Sequence, residues 1–141
     1  MAVAVKRVYE KAVRSDGARV LVDRLWPRGI KKDAAAVDAW LKSLAPSNGL
    51  RQWFHAHPDQ WATFRKRYME ELSGSEAAGA LEELYRLAHK RRKVTLLFAS
   101  KDRDRNNAVV LKELLEGMRK PPSGTPTAPA ASARSRARAR R

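Results

Sequence analysis

Cysteine is absent from the 141 residues, which excludes a disulfide framework, thiolate-ligated zinc or iron–sulfur centres, and any thiol nucleophile. Histidine is scarce: only His55, His57 and His89 occur. No ligand spacing or paired-carboxylate motif accompanies them, so the residues imply neither a metal nor a cofactor. Long apolar runs are missing as well. No stretch approaches the roughly 18 apolar residues a membrane span needs, and residues 1–7 are too briefly apolar for a signal-peptide core. The expectation is a cytoplasmic protein without a membrane partner. Acids are missing from the end of the chain, since all 15 precede residue 120. The formal charge of +15 therefore divides into +9 over residues 1–119 and +6 over residues 120–141.

The aliphatic and aromatic residues lie almost entirely between Val3 and Met118. Residues 1–119 are thus expected to form one domain, a size that buries well over half of the unfolded surface. Residues 120–141 offer proline, alanine, serine and arginine but nothing that builds a core, and are read as a disordered basic tail.

Three segments read as strands. Residues 3–9 carry the β-branched Val3, Val5 and Val8 beside Lys6 and Arg7. Residues 19–25 (RVLVDRL) and 94–99 (VTLLFA) are continuous apolar runs of the kind buried in parallel sheets. Helical spacing marks residues 33–44 through Val37, Trp40, Leu41 and Leu44. A short helix capped by Ser47 is expected next, then one with Pro58 at its first position that aligns Trp61, Phe64, Tyr68 and Leu72. Leu81, Leu84 and Leu87 mark a further helix that ends in the basic run His89 to Lys93, and Ala108, Leu111, Leu115 and Met118 mark a last one. The pattern predicts an α/β fold: a small, mainly parallel, three-stranded central sheet covered by about five helices, with Rossmann-like layering.

In an open α/β sheet ligands gather at the carboxyl ends of the strands, which directs attention to the loops after RVLVDRL and VTLLFA. The first contains Asp23, Arg24, Trp26, Arg28 and Gly29. Arg24 and Arg28 are suited to clamping a phosphate or carboxylate, Trp26 to stacking on a planar ligand, and Gly29 to close backbone approach. The bland alternative is an Asp23–Arg24 pair closing a strand end while Trp26 fills a gap. The second loop brings Lys101, Asp102 and Asn107 to the start of the last helix, where backbone amides receive anions; Asp104 or Asn106 acting only as a helix cap is the competing reading. Asp23, Lys101 and His55 are the candidates for proton transfer. The helical aromatics, Tyr68 among them, read as core.

The motifs KRVYE, DGARVLVDRLWPRGIKK, WLKSLAPSNGLRQWF, HPDQWATFRKRYMEEL and VTLLFASKDRDRNNAVVLKELL, between Lys6 and Glu116, resemble the family called domain of unknown function 488 in its short, YeaO-like form. The resemblance implies an α/β architecture in a bacterial cytosolic protein and carries no established activity. Longer relatives resemble this layout with Cys-His-Arg near the start of the last helix, where this chain has Asn106, Asn107 and Ala108. The functional expectation is a small anionic or phosphorylated ligand held between the two strand-end loops, with catalysis left open. The alternative is a nucleic-acid-binding or regulatory protein that uses its basic surface and arginine tail.

Overall fold

A computed structural model describes residues 2–117. The expected basic tail at 120–141 lies outside the described residues.

Four strands form one parallel sheet: β1 (Ala2–Arg7), β2 (Ala18–Leu21), β3 (Ala39–Trp40) and β4 (Lys93–Phe98), in the spatial order β1-β4-β2-β3. Strand β4, last in sequence, lies between β1 and β2, with Val3 opposite Val94 and Val20 opposite Leu96. Four helices of more than one turn accompany the sheet: α2 (Asn48–Ala56), α3 (Trp61–Leu72), α4 (Ser75–Arg91) and α5 (Asn107–Gly117). A single turn, α1 (Lys32–Ala35), precedes β3. The sheet therefore has four strands, not the expected three. No helix among the described residues is long and apolar enough to cross a membrane.

The period-2 alternation of the strands sorts their side chains into two layers. Val20, Val22, Val94, Leu96 and Phe98 join Phe64, Leu81 and Leu111 in the main core, to which α2, α3, α4 and α5 all contribute. The opposite face buries Val8, Leu21 and Leu97 beneath Trp26, Ile30, Val37 and Trp40. The helices thus lie on one face and an irregular segment covers the other. This departs from Rossmann-like layering because neither the β1–β2 nor the β2–β3 connection carries more than a single α-helical turn.

The largest departure from expectation is at residues 33–44, predicted as a helix. Ala36 has a left-handed backbone (φ 50°) that stops α1 after one turn. Asp38 then bonds both ways to Arg19: its N–H donates to the Arg19 carbonyl (2.7 Å) and its carboxylate accepts from the Arg19 N–H (2.8 Å). These bonds dock the segment on β2 as the short edge strand β3. Val37 and Trp40 enter the second face while Leu41 and Leu44 enter the main core. Apolar residues serving two layers imitated the stripe of one helix. Pro58 also lies outside a helix, because α3 begins only at Trp61.

Two positive-φ positions shape the amino edge of the sheet. Gly17 (φ 67°) passes so close to β4 that a Cβ would lie 2.4 Å from the Lys93 carbonyl oxygen. Arg92 (φ 66°) closes α4 where glycine is the usual residue. A side chain in this conformation costs about 1 kcal/mol. Arg92→Gly is therefore expected to stabilise the protein by about that amount, raising Tm by about 2–5 °C in a thermal melt. An unchanged or lower Tm would contradict the strain.

A buried ionic network sits on the second face near the same edge. Asp16 accepts from Arg19 Nη1 (2.6 Å) and from Lys6 Nζ (3.2 Å). Arg19 Nε and Nη2 donate to the carbonyls of Ala36 and Ala35 (both 3.1 Å). The hydroxyl of Thr95 donates to the Asp16 carbonyl (2.7 Å). One guanidinium thereby fixes the start of β2 to the turn that leads into β3.

Candidate functional site

At the carboxyl edge of the sheet, strand β2 runs on through Val22 into Asp23, whose backbone and side chain bind three elements. Its carboxylate accepts from the Ala99 N–H just after β4 (2.9 Å) and from Asn107 Nδ2 at the start of α5 (3.2 Å). The same Asn107 amide donates to the Val22 carbonyl (2.8 Å), and Trp40 Nε1 donates to the Asp23 carbonyl (2.7 Å). Burial raises the pKa of the Asp23 carboxyl above its ordinary 3.8, against the bonds from Ala99 and Asn107 and the charge of Arg51.

The sign of that shift has a measurable consequence. A carboxyl raised in the folded state favours folding below its unfolded pKa, and this contribution is lost as pH rises through the folded value. Asp23→Asn should therefore gain stability relative to the parent between about pH 4 and about pH 7, as read from urea unfolding at both pH values. A difference that stays flat or moves the other way would refute the assignment.

A fourth element reaches the same place. Tyr68, on α3, is fully buried and donates its hydroxyl to the Leu44 carbonyl. Burial pushes this hydroxyl well above the ordinary tyrosine range, and the charges of Asp23 and Glu71 add to the rise; a hydrogen bond with Asn107 and the charge of Arg24 oppose it. Arg24 completes the cluster with only one long bond, from Nη2 to the Ala45 carbonyl (3.4 Å). Its Nε is buried without a hydrogen-bond partner among the described residues. It makes no ion pair with Asp23, whose oxygens are taken by Ala99 and Asn107, so the expected alternative of an Asp23–Arg24 pair is not what closes this strand end.

Of the residues singled out in the sequence, Asp23, Arg24 and Asn107 come together. The others do not join them. Trp26 turns to the second face, where its indole donates to the Ile30 carbonyl (2.7 Å) and meets Trp40 edge-on at 5.3 Å. The Arg28 side chain is exposed, and its carbonyl accepts from the Tyr9 hydroxyl (3.1 Å). Gly29 (φ 81°) makes an open turn, with nothing within 4 Å of the place a Cβ would take. Lys101 is exposed. Asp102 builds its own loop, accepting from the N–H groups of Asp104 and Arg105 (both 2.9 Å). Asn106 caps α5 by accepting from the Val109 N–H (3.1 Å). His55 is exposed on α2, away from these bonds.

Sequence reasoning missed Tyr68 and Arg51. The available signal for Tyr68 was its hydroxyl, the one polar group in the stripe Trp61, Phe64, Tyr68 and Leu72 that is buried whole; a buried tyrosine hydroxyl needs a partner.

The second loop is held firmly. Arg7 donates through Nε to the Ser100 carbonyl (3.0 Å) and through Nη2 to that of Ala99 (3.2 Å). Arg103 pairs with Glu10 (2.6 Å), and this hydrogen bond lowers the Glu10 carboxyl pKa. Around the edge, Arg28, Arg51, Lys101 and Arg105 are exposed and, among the described residues, form no ion pair. No group of three or more potential metal-ligating side chains occurs among the described residues. A separate open depression on the helical layer is lined by Ser47, Leu50, Trp53, Arg67, Glu70 and Glu71. It includes none of the strand-end residues.

Comparison with known proteins places relatives beside this geometry. The family described as "Inactive DUF488-N3 subclade" matches residues 2–132. "Uncharacterized protein YeaO" of Escherichia coli K12 is 45% identical over 118 residues, covering 84% of this chain and all of the relative. "Uncharacterized protein Rv3073c" of Mycobacterium tuberculosis H37Rv is 47% identical over 115 residues, covering 82% of this chain and 94% of its own. No solved structure matches.

Proposed function

The chain belongs to the family described as the inactive DUF488-N3 subclade, and from that premise we propose that its strand-end cluster binds a small ligand through an anionic group, without turning it over. The observation that carries this reading is Arg24: a guanidinium at the carboxyl edge of a parallel sheet, with a buried Nε that no group among the described residues satisfies. An unmet donor of this kind costs stability and suits a phosphate or carboxylate oxygen. The exposed, unpaired Arg28, Arg51, Lys101 and Arg105 give the rim the same preference.

Binding without turnover fits the rest of the cluster. Both Asp23 oxygens accept hydrogen bonds and the Tyr68 hydroxyl is committed to a carbonyl, so neither stands ready as a base beside Arg24. The chain has no thiol. The word "inactive" in the family description accords with this.

The test is a thermal-shift and calorimetric series on the full chain with inorganic phosphate, nucleoside 5′-monophosphates and diphosphates, and the matching nucleosides. Stabilisation by phosphate-bearing compounds alone, reaching about 2.7 kcal/mol at a hundredfold excess over Kd, is the expected result. No response to any of these probes, or equal response to the neutral nucleosides, would overturn the reading.

A further inference from the structure

The amino edge of the sheet, opposite the strand-end cluster, receives the longest unbroken run of cations among the described residues, Lys90 to Lys93. Helix α4 ends at Arg91 and β4 begins at Lys93, with only Arg92 between them. Lys90, Arg91, Arg92 and Lys93 are therefore all placed where β4 enters the sheet. The Ala2 N–H donates to the Arg92 carbonyl (3.0 Å), which brings the start of β1 there. Gly17 abuts Lys93, and the Gly17 N–H donates to the Arg14 carbonyl (3.3 Å), which adds Arg14. Among the described residues, none of these five cations forms an ion pair. Several acids on the neighbouring elements are engaged elsewhere, Asp16 with Lys6 and Arg19, Glu82 with Arg86 and Glu116 with Lys112, while the exposed Glu83 lies about two helical turns before Lys90 on α4.

We propose that this amino edge docks the phosphate backbone of a nucleic acid, a binding surface separate from the strand-end cluster and independent of its ligand. Complementing the α4 dipole requires one or two cations in the last turn, not an unbroken series. The series also keeps arginine at position 92, where the left-handed backbone favours glycine. Helix α5 starts at the carboxyl edge, where Asn107 bonds Val22, and packs back along β1 and β4. Gly117, the last described residue, therefore lies towards the amino edge, and the sequence beyond it includes Arg134, Arg136, Arg138, Arg140 and Arg141. A lipid surface fits less well, because the exposed large apolar residues are only Tyr9, Val13 and Leu25 among the described residues and form no face beside the cations.

Three variants of the full chain provide the test, each titrated into a fluorescein-labelled DNA duplex of about 20 base pairs between about 50 and 200 mM salt. Lys90→Gln/Arg91→Gln/Arg92→Gly should weaken binding at least about tenfold at low salt and flatten the log–log salt dependence by about 2–3. Replacing the five tail arginines by glutamine should leave a binding component that the triple variant lacks. Arg92→Gly alone should bind more weakly while melting higher, a combination that a merely structural role for Arg92 does not produce. The inference is overturned if the parent does not bind, if the triple variant binds like the parent, or if the tail variant loses all binding. Anionic vesicles competing for the same residues at equal affinity would also overturn it.

Discussion

Asp16→Ala is expected to remove about 3–5 kcal/mol of stability in urea unfolding, because it strands the buried charge of Arg19. Arg19 is 4% exposed and Asp16 6%. The carboxylate is the partner of Arg19 Nη1 and of Lys6 Nζ, and it also accepts from the Val13 N–H (3.0 Å). The alanine variant would leave a guanidinium bonded only to the carbonyls of Ala35 and Ala36. Against a typical total of about 5–15 kcal/mol, that loss threatens folding itself. Arg19→Met combined with Asp16→Leu removes both charges and should recover most of the loss. Asp16→Ala costing less than about 1 kcal/mol would show that the network contributes little.

The same network sets an acid limit. Burial pushes the Asp16 carboxyl up, but the hydrogen bonds from Val13, Arg19 and Lys6 outweigh it and hold the pKa below 3.8. A carboxyl lowered on folding stabilises fully above its unfolded pKa, and that contribution disappears as pH falls through the folded value. The acid unfolding of the parent should include this loss, and the Asp16→Ala variant should lack it. The consequence reaches the site, because Arg19 secures the turn that leads into β3, and β3 carries the Trp40 indole that holds the Asp23 carbonyl.

Where one layer of structure governed the residue pattern, the sequence was readable. Strands β2 and β4 announced themselves as continuous apolar runs, and α3, α4 and α5 each kept one helical stripe. The segment 33–44 was misread because its apolar residues divide between the two faces of the sheet, and a two-residue strand such as β3 leaves no periodic signal. The expected parallel topology directed attention to the strand ends, and of the residues it singled out in the two loops Asp23, Arg24 and Asn107 come together there. Which neighbours would join them depended on where the 23–29 segment crosses the sheet edge. That crossing sends Trp26 to the second face and leaves Arg24 with Tyr68, a partition set by packing and not by local residue types.

The largest effect expected at the site itself is for Arg24→Met, whose two consequences run in opposite directions. Methionine keeps much of the aliphatic volume while removing a buried donor that has no partner, so stability should stay within about 1 kcal/mol of the parent or rise. Binding should fall sharply, since a charge-assisted hydrogen bond contributes about 1.5–3 kcal/mol, or roughly 10- to 150-fold in Kd. A residue kept only for packing would show the reverse, with stability lost and no ligand effect.

The decisive experiment on anion binding at the strand ends is isothermal titration of the full chain and of its Arg24→Met variant with the tightest phosphate-bearing probe, alongside urea unfolding of both proteins. The expected result is a Kd at least about tenfold weaker in a variant that is no less stable by more than about 1 kcal/mol. Equal affinity in the two proteins, with the variant markedly destabilised, would contradict it and return Arg24 to a structural role.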